Sequence, residues 1–186
     1  MQKPNNYDEV QIGGFRPLLE GGHILVIQEV EELQSKNGRD MVKVSFDTAA
    51  DDIQPEYYLN LWKNDDREDK KWRGVRYVMV YDMDDNTSRD FKAFCTSVEE
   101  SNEGFTVQWG ADFGSQFKGL RVGGIAGRVL DAYNGKEIKK TEIRFWRSVA
   151  SADGAAAPEE YETPAHTNFV QPTEFMQISD EDLPFV

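Results

Sequence analysis

The chain has 186 residues, 39% of them hydrophobic and 12% aromatic, which suits one domain of ordinary size with a sizeable core, plus a tail. Its formal charge of −13 is unevenly spread: residues 151–186 hold eight acids and no base, so that segment carries −8 and the body −5. A single cysteine, Cys95, excludes an internal disulfide, no apolar run reaches membrane-spanning length, and the N-terminus shows no charged-then-apolar signal pattern, so a soluble cytoplasmic protein is expected.

Residues 1–22, rich in Asn, Pro and Gly, read as an arm leading into the first strand, an apolar-rich run from His23 to Val30. The Asn-Gly pair in Ser35-Lys36-Asn37-Gly38 supplies the positive φ angles of a tight hairpin turn. From Met41 to Asp47 the pattern alternates: Val42, Val44 and Phe46 fall on one face, Met41, Lys43, Ser45 and Asp47 on the other. That is a half-buried strand, antiparallel to the first. Residues 48–71 form a long excursion around Tyr57, Tyr58, Leu59, Leu61 and Trp62, followed by a charged loop over 63–71. A connection of this length carrying aromatics reads as functional. A third strand is expected from Trp72 to Asp82. Between Ser88 and Asn102 lies the one helix, with Phe91, Phe94, Cys95 and Val98 at i, i+3, i+4 and i+7, Thr87 or Ser88 to cap it and Gly104 to end it. After a loop holding Phe105, Trp109, Phe113 and Phe117, a Gly-rich strand from Gly119 to Leu130 leads through the turn Asn134-Gly135 to a final strand, Ile138 to Val149.

Five strands with a helix between the third and fourth is the order of the OB fold, a five-stranded Greek-key barrel that is all-β apart from its helix. An open five-stranded sheet crossed by one helix is the alternative. Glycines 119, 123, 124 and 127 suit strands that bend sharply at a barrel corner. The expected organisation is an arm at 1–22, the barrel at 23–149, a flexible acidic linker at 150–179 and a partner-binding tip at 180–186.

The parts that catalysis needs are scarce, so no catalytic residue, metal ligand or cofactor is assigned. His23 and His166 have no nucleophile or metal-ligand partner at a useful spacing. The run Asp82-Met83-Asp84-Asp85-Asn86 imitates the opening of a calcium loop, but Thr87 stands where that loop needs glycine and Ala93 where it needs a bidentate glutamate. Single-strand binding asks for flat aromatic faces interleaved with cations. Tyr57, Trp62, Trp72 and Tyr77 with Lys70, Lys71, Arg73 and Arg76 supply them; Lys139, Lys140, Arg144, Trp146 and Arg147 form a second cluster, and Lys43 lies on the polar face of the second strand. Core packing is the ordinary alternative for each aromatic. On the third strand Tyr77, Met79 and Tyr81 share one face and Arg76, Val78 and Val80 the other, without indicating which is outward. The body charge of −5 opposes long-range attraction to nucleic acid.

The hairpin turn at 35–38, the run Asp66-Arg67-Glu68-Asp69-Lys70-Lys71-Trp72-Arg73-Gly74, the helical segment 91–102 and the ending Phe145-Trp146-Arg147-Ser148-Val149 together resemble the OB-fold single-stranded DNA-binding and recombination-associated proteins of bacteriophages and prophages. Separately, Asp180-Glu181-Asp182-Leu183-Pro184-Phe185 is similar to the acidic tip of bacterial single-stranded DNA-binding proteins. That resemblance implies that Phe185 fills an apolar pocket of a replication, repair or recombination enzyme while Asp180, Glu181 and Asp182 meet its basic rim. Leu183 and Pro184 complete the peg. The bacterial family ends on its phenylalanine, whereas Val186 follows here. With a reach of roughly 30 Å for the linker against a body radius of gyration of about 15 Å, the tip is also expected to compete with DNA for the basic clusters. The expectation is a non-enzymatic, sequence-tolerant single-stranded DNA-binding protein of a bacterial host cytoplasm, with no membrane partner and self-association left open. An acidic adaptor or DNA mimic is the alternative, and a metal-dependent nuclease a more distant one.

Overall fold

The structure is a computed structural model that describes residues 16–133 and 136–162. The arm before residue 16, the turn Asn134-Gly135 and the tip from Asp180 to Phe185 lie outside the described residues. In chain order the elements are β1 (Gly21–Gln34), β2 (Asp40–Thr48), α1 (Tyr57–Lys63), β3 (Val75–Met79), α2 (Arg89–Ser101), β4 (Arg121–Tyr133), β5 (Lys136–Arg147), α3 (Val149–Ala152) and β6 (Tyr161–Glu162), with a single 3-10 turn at Ser115–Phe117.

The first five strands form one antiparallel sheet in the order β3-β2-β1-β4-β5, and β6 joins β4 in parallel. Among the described residues no ladder joins β3 to β5, so the sheet is open between its two ends. Arg76 spans the gap, donating from Nη1 on β3 to the carbonyl of Ile143 on β5 at 2.5 Å. Among the described residues three short helices stand where the sequence suggests one, because α1 and α3 are each stabilised by tertiary contacts.

For α1 the contacts come from the end of β2. Glu56, the residue before the helix, has φ 49° and offers no side-chain cap. The buried carboxylate of Asp47 instead accepts from the amides of Tyr58 (2.8 Å) and Leu59 (3.1 Å), and Thr48 Oγ1 accepts from the amide of Tyr57 (2.8 Å). Donors that a helix N-terminus leaves unpaired are thus satisfied by another element. Burial pushes the Asp47 carboxyl up, while the amides it accepts from pull the other way. By contrast α2 carries its own signals: Ser88 Oγ accepts from the amide of Phe91 (3.1 Å), Asp90 lies in the first turn, and Phe91, Phe94, Cys95 and Val98 are buried.

Two bulges set the phase of the sheet. Along β1, Gly21, His23, Leu25 and Ile27 are buried, then Gln28 and Glu29 are both exposed and Val30 is buried. Ile27 faces Phe46 and Glu29 faces Ser45, so Gln28 is the extra residue, and it returns Val30 to the interior. On β5, Ile125 of β4 faces Phe145 and Ala126 faces Ile143, which leaves Arg144 as the extra residue. Trp146 and Ile143 therefore both turn inward. An aromatic chain fills the core: Trp146 packs on Phe46 (5.9 Å between ring centroids) and Phe94 (5.1 Å), and Phe94 on Phe117 (5.3 Å).

After β5 the chain does not leave the body at residue 150, as expected of a linker. α3 packs against β1 and β4, and residues up to Glu162 run back along β4. The close approach needs glycines: a Cβ on Gly22 would lie 1.7 Å from the Ala152 carbonyl oxygen, one on Gly123 2.6 Å from Ala152 Cβ, and one on Gly127 2.5 Å from Pro158. Close packing of this strap, rather than strand bending, accounts for Gly123 and Gly127. No helix among the described residues is long and apolar enough to cross a membrane.

Candidate nucleic-acid interface

Register places three side chains in one row across the outward face of the β1–β2–β3 sheet: Glu31 opposite Lys43, and Lys43 opposite Tyr77. Val78 is fully buried, so the Tyr77 face of β3 is the outward one, and Tyr77 itself is 58% exposed. A groove of about 1320 Å³ runs over this face, with Lys43, Lys71, Trp72, Tyr77, Lys118 and Glu29 among its walls. Lys118 is brought there from a distant part of the sequence, because the Gly119 amide donates to the Ile27 carbonyl (2.8 Å) and the Ile27 amide to the Leu120 carbonyl (2.9 Å).

Each wall residue is held differently. The Trp72 indole N–H donates to the carbonyls of Phe46 and Gly74, both at 3.1 Å, which fixes the plane of the ring. Gly74 must lack a side chain, since a Cβ there would meet the Phe46 carbonyl oxygen at 2.1 Å and Trp72 Nε1 at 2.9 Å. The Lys43 ammonium donates to Glu31 at 2.5 Å, and that hydrogen bond, opposed by slight burial, raises its pKa further above the ordinary value. Neither Lys71 nor Lys118 forms an ion pair among the described residues.

The other expected site residues divide by location. Trp62 is 41% exposed on α1, with the Lys70 ammonium 4.1 Å from the ring centroid, and neither lines the groove. Arg73 borders a second cleft of about 670 Å³ between β3 and β5 and lies 3.5 Å from Asp65. Asp65 is also gripped by Arg67 at 2.6 and 2.8 Å, and this hydrogen-bonded partner holds its carboxyl below the usual carboxylate range. Tyr57 is buried and donates its hydroxyl to the Arg16 carbonyl at 3.1 Å.

Four assignments change, Tyr57 being one because its ring lies in the core. Arg76 lies on the inward face of β3, with a bidentate grip on Asp90 (2.9 and 3.0 Å) and its guanidinium 5.5 Å from the Trp146 ring centroid. It bridges the open sheet. Trp146 is 1% exposed and presents no face for a base. Arg144, displaced by the bulge, donates to the Glu159 carbonyl and sits 5.2 Å from Phe145 and 5.1 Å from Tyr161, so it pins the strap before β6. Trp146 and Arg144 of the second cluster are therefore core and clamp, while Lys139, Lys140 and Arg147 stay exposed. Lys118 is the groove residue that sequence reasoning missed; its only signal is the Lys-Gly pair, whose Gly119 has φ 81°.

At the start of β1 the buried imidazole of His23 faces acceptors on both sides: Asp52 Oδ1 at 2.9 Å from Nδ1 and the Leu19 carbonyl at 2.9 Å from Nε2. Asp52 also accepts from the amides of Ile24 (2.6 Å) and Gln54 (2.8 Å). Burial by itself lowers the His23 pKa, but the hydrogen bonds to Asp52 and Leu19 and the Asp52 charge outweigh it and hold the imidazole above 6.5. For Asp52, burial pushes upward and is outweighed by His23 and the two amides, so its carboxyl is held below 3.8. Both shifts favour the charged forms of the pair. Its free ring nitrogen is spent on a carbonyl rather than on a hydroxyl or thiol. Among the described residues no three His, Cys, Asp or Glu side chains gather as metal ligands would. A comparison of the chain with protein-family models and with curated proteins finds no match to either.

Proposed function

We propose that this protein binds single-stranded DNA, without base specificity and without catalysing a reaction, along the groove on the β1–β2–β3 face. The observation that carries the reading is the row in which an outward, half-exposed Tyr77 stands beside Lys43, with Trp72, Lys71 and Lys118 in the same groove. Aromatic faces take stacked bases and lysines take phosphates, a combination that tolerates any sequence. Strand order and the helix between β3 and β4 support an OB-type barrel opened between β3 and β5. In this reading the protein coats exposed strands during phage replication, recombination or repair, and the tip Asp180–Phe185 recruits the enzymes that follow.

One observation favours the acidic-adaptor alternative: Glu31, beside the groove, already occupies the ammonium of Lys43 in its wall. Titrating the full chain with oligo(dT) while following tryptophan fluorescence separates the two. Saturable quenching that weakens steeply with salt is expected; no response from 20 mM salt upward overturns the DNA reading. Comparison with a chain ending at Glu162, which keeps the strap intact, tests tail competition. Tighter DNA binding at low salt is expected after the truncation, and equal affinity removes that role.

A further inference from the structure

At the far end of the β1–β2 hairpin, away from the groove, the loop after α2 displays an indole. Trp109 is 70% exposed, with one face stacked on Phe113 at 17° between planes and 5.3 Å between centroids. Phe113 in turn packs on Phe91 at 5.9 Å. The exposure is built in. Gln116 Oε1 accepts from the Gln108 amide (2.7 Å), Gln116 Nε2 donates to the carbonyls of Gln108 (2.8 Å) and Phe113 (2.7 Å), and Glu99 accepts from the Val107 amide (2.9 Å). These bonds clamp the loop on both sides of Trp109.

Beside the indole is a cleft of about 400 Å³ floored by Leu33, Met41, Tyr81, Phe91 and Phe113. Leu33 and Tyr81 are themselves exposed. The only charged residues in its lining are Glu32 and Asp40. Arg39, next to Asp40 in the chain, is occupied elsewhere: it donates to the carbonyls of Tyr81 (3.0 Å) and Asp82 (2.5 Å). A rigid aromatic beside an apolar cleft with an acidic rim is costly to leave in water and is the composition of a protein-binding hot spot. Its charge repels phosphates and equally the chain's own acidic tip.

We infer that the Trp109 cleft is a docking site for a partner protein, which inserts a large apolar side chain flanked by lysine or arginine. The apolar residue fills the space beside the indole, and its basic neighbours meet Glu32 and Asp40. The site is separate from the proposed DNA groove and does not depend on that reading.

The test uses fluorescein-labelled Lys-Lys-Leu-Phe-Lys-Lys, with Glu-Glu-Leu-Phe-Glu-Glu and Lys-Lys-Gly-Gly-Lys-Lys as controls, and fluorescence anisotropy of the full chain. Saturable binding of the first peptide alone is expected. It should weaken about tenfold or more in Trp109→Ala and severalfold in the Glu32→Gln, Asp40→Asn double variant. Thermal midpoints of both variants should match the parent, since the altered side chains are exposed. Binding unchanged by Trp109→Ala would assign it to the acidic tail and overturn the inference. So would equal binding of the acidic peptide, or absence of binding to any of the three. Self-association by sedimentation that Trp109→Ala abolishes would make a second copy the occupant, also overturning it.

Discussion

Two stretches of this chain combine aromatics with cations, and the fold treats them oppositely. Between Tyr57 and Tyr77, although Tyr57 and Arg76 are drawn inward, Tyr77, Trp72 and Lys71 share a groove with Lys43. Between Lys139 and Arg147 one extra residue at Arg144 turns Trp146 into the core and gives Arg144 to the strap. Identical compositional signals thus have opposite destinations. What separates them is the phase of the strand, since a shift of one residue moves every later side chain to the other face.

The largest expected effect breaks the interior half of this contrast. Trp146→Ala should destabilise the fold by about 3–5 kcal/mol, because the buried ring packs against Phe46 and Phe94 and its removal leaves a cavity. Urea unfolding measures this loss, and the fraction that remains folded should bind oligo(dT) normally. Tyr77→Ala is the mirror test. It should leave the unfolding midpoint nearly unchanged and weaken DNA binding by roughly 5- to 150-fold, the value of one stacked base at about 1–3 kcal/mol. If instead Tyr77→Ala unfolds the protein and Trp146→Ala abolishes binding in the folded fraction, the contrast is reversed.

A smaller effect distinguishes phosphate contacts from stacking. Replacing Lys43, Lys71 and Lys118 by glutamine should reduce the slope of log affinity against log salt by about 2, each lost phosphate contact removing about 0.7. Tyr77→Ala should leave that slope unchanged. An unaltered slope in the lysine variant would place the phosphates elsewhere.

The smallest effect is expected from pH, and it should fall on stability alone. His23 has its pKa raised on folding, so its contribution is complete below 6.5 and is lost as pH rises through the folded value. Asp52 has its pKa lowered, so its contribution is present above 3.8 and is lost as pH falls through its folded value. The thermal midpoint should therefore be highest between these limits and decline on the alkaline side. Asp52→Asn should flatten that decline. Among the described residues no histidine lines the groove, so DNA affinity of the folded protein should not follow the same curve.

Where the physics is local, the residues were readable in order. Ser88 caps α2 as its position suggests, and Phe91, Phe94, Cys95 and Val98 all reach the core. Val42, Val44 and Phe46 are inward as alternation requires, and the turn at 35–38 joins β1 to β2. Less legible was α1, whose cap is Asp47, eleven residues before Tyr58 in the chain and one strand away in space. The strap after β5 was also hidden, because its composition is that of a linker and only the facing glycines admit it. Lys118 offered almost no signal, since its place in the groove depends on a pair of backbone bonds to Ile27.

The sequence by itself determined the first hairpin, the main helix and the exclusion of lysine and arginine from the last 36 residues, because turn chemistry, capping and charge act over a few neighbouring positions. Only the tertiary structure decided which face of β3 meets water, which of two aromatic clusters stays on the surface, and that the sheet remains open between β3 and β5 with Arg76 across it. Those outcomes depend on bulges and on contacts between segments far apart in the chain, where one inserted residue reverses a face without leaving any mark in the alternation around it.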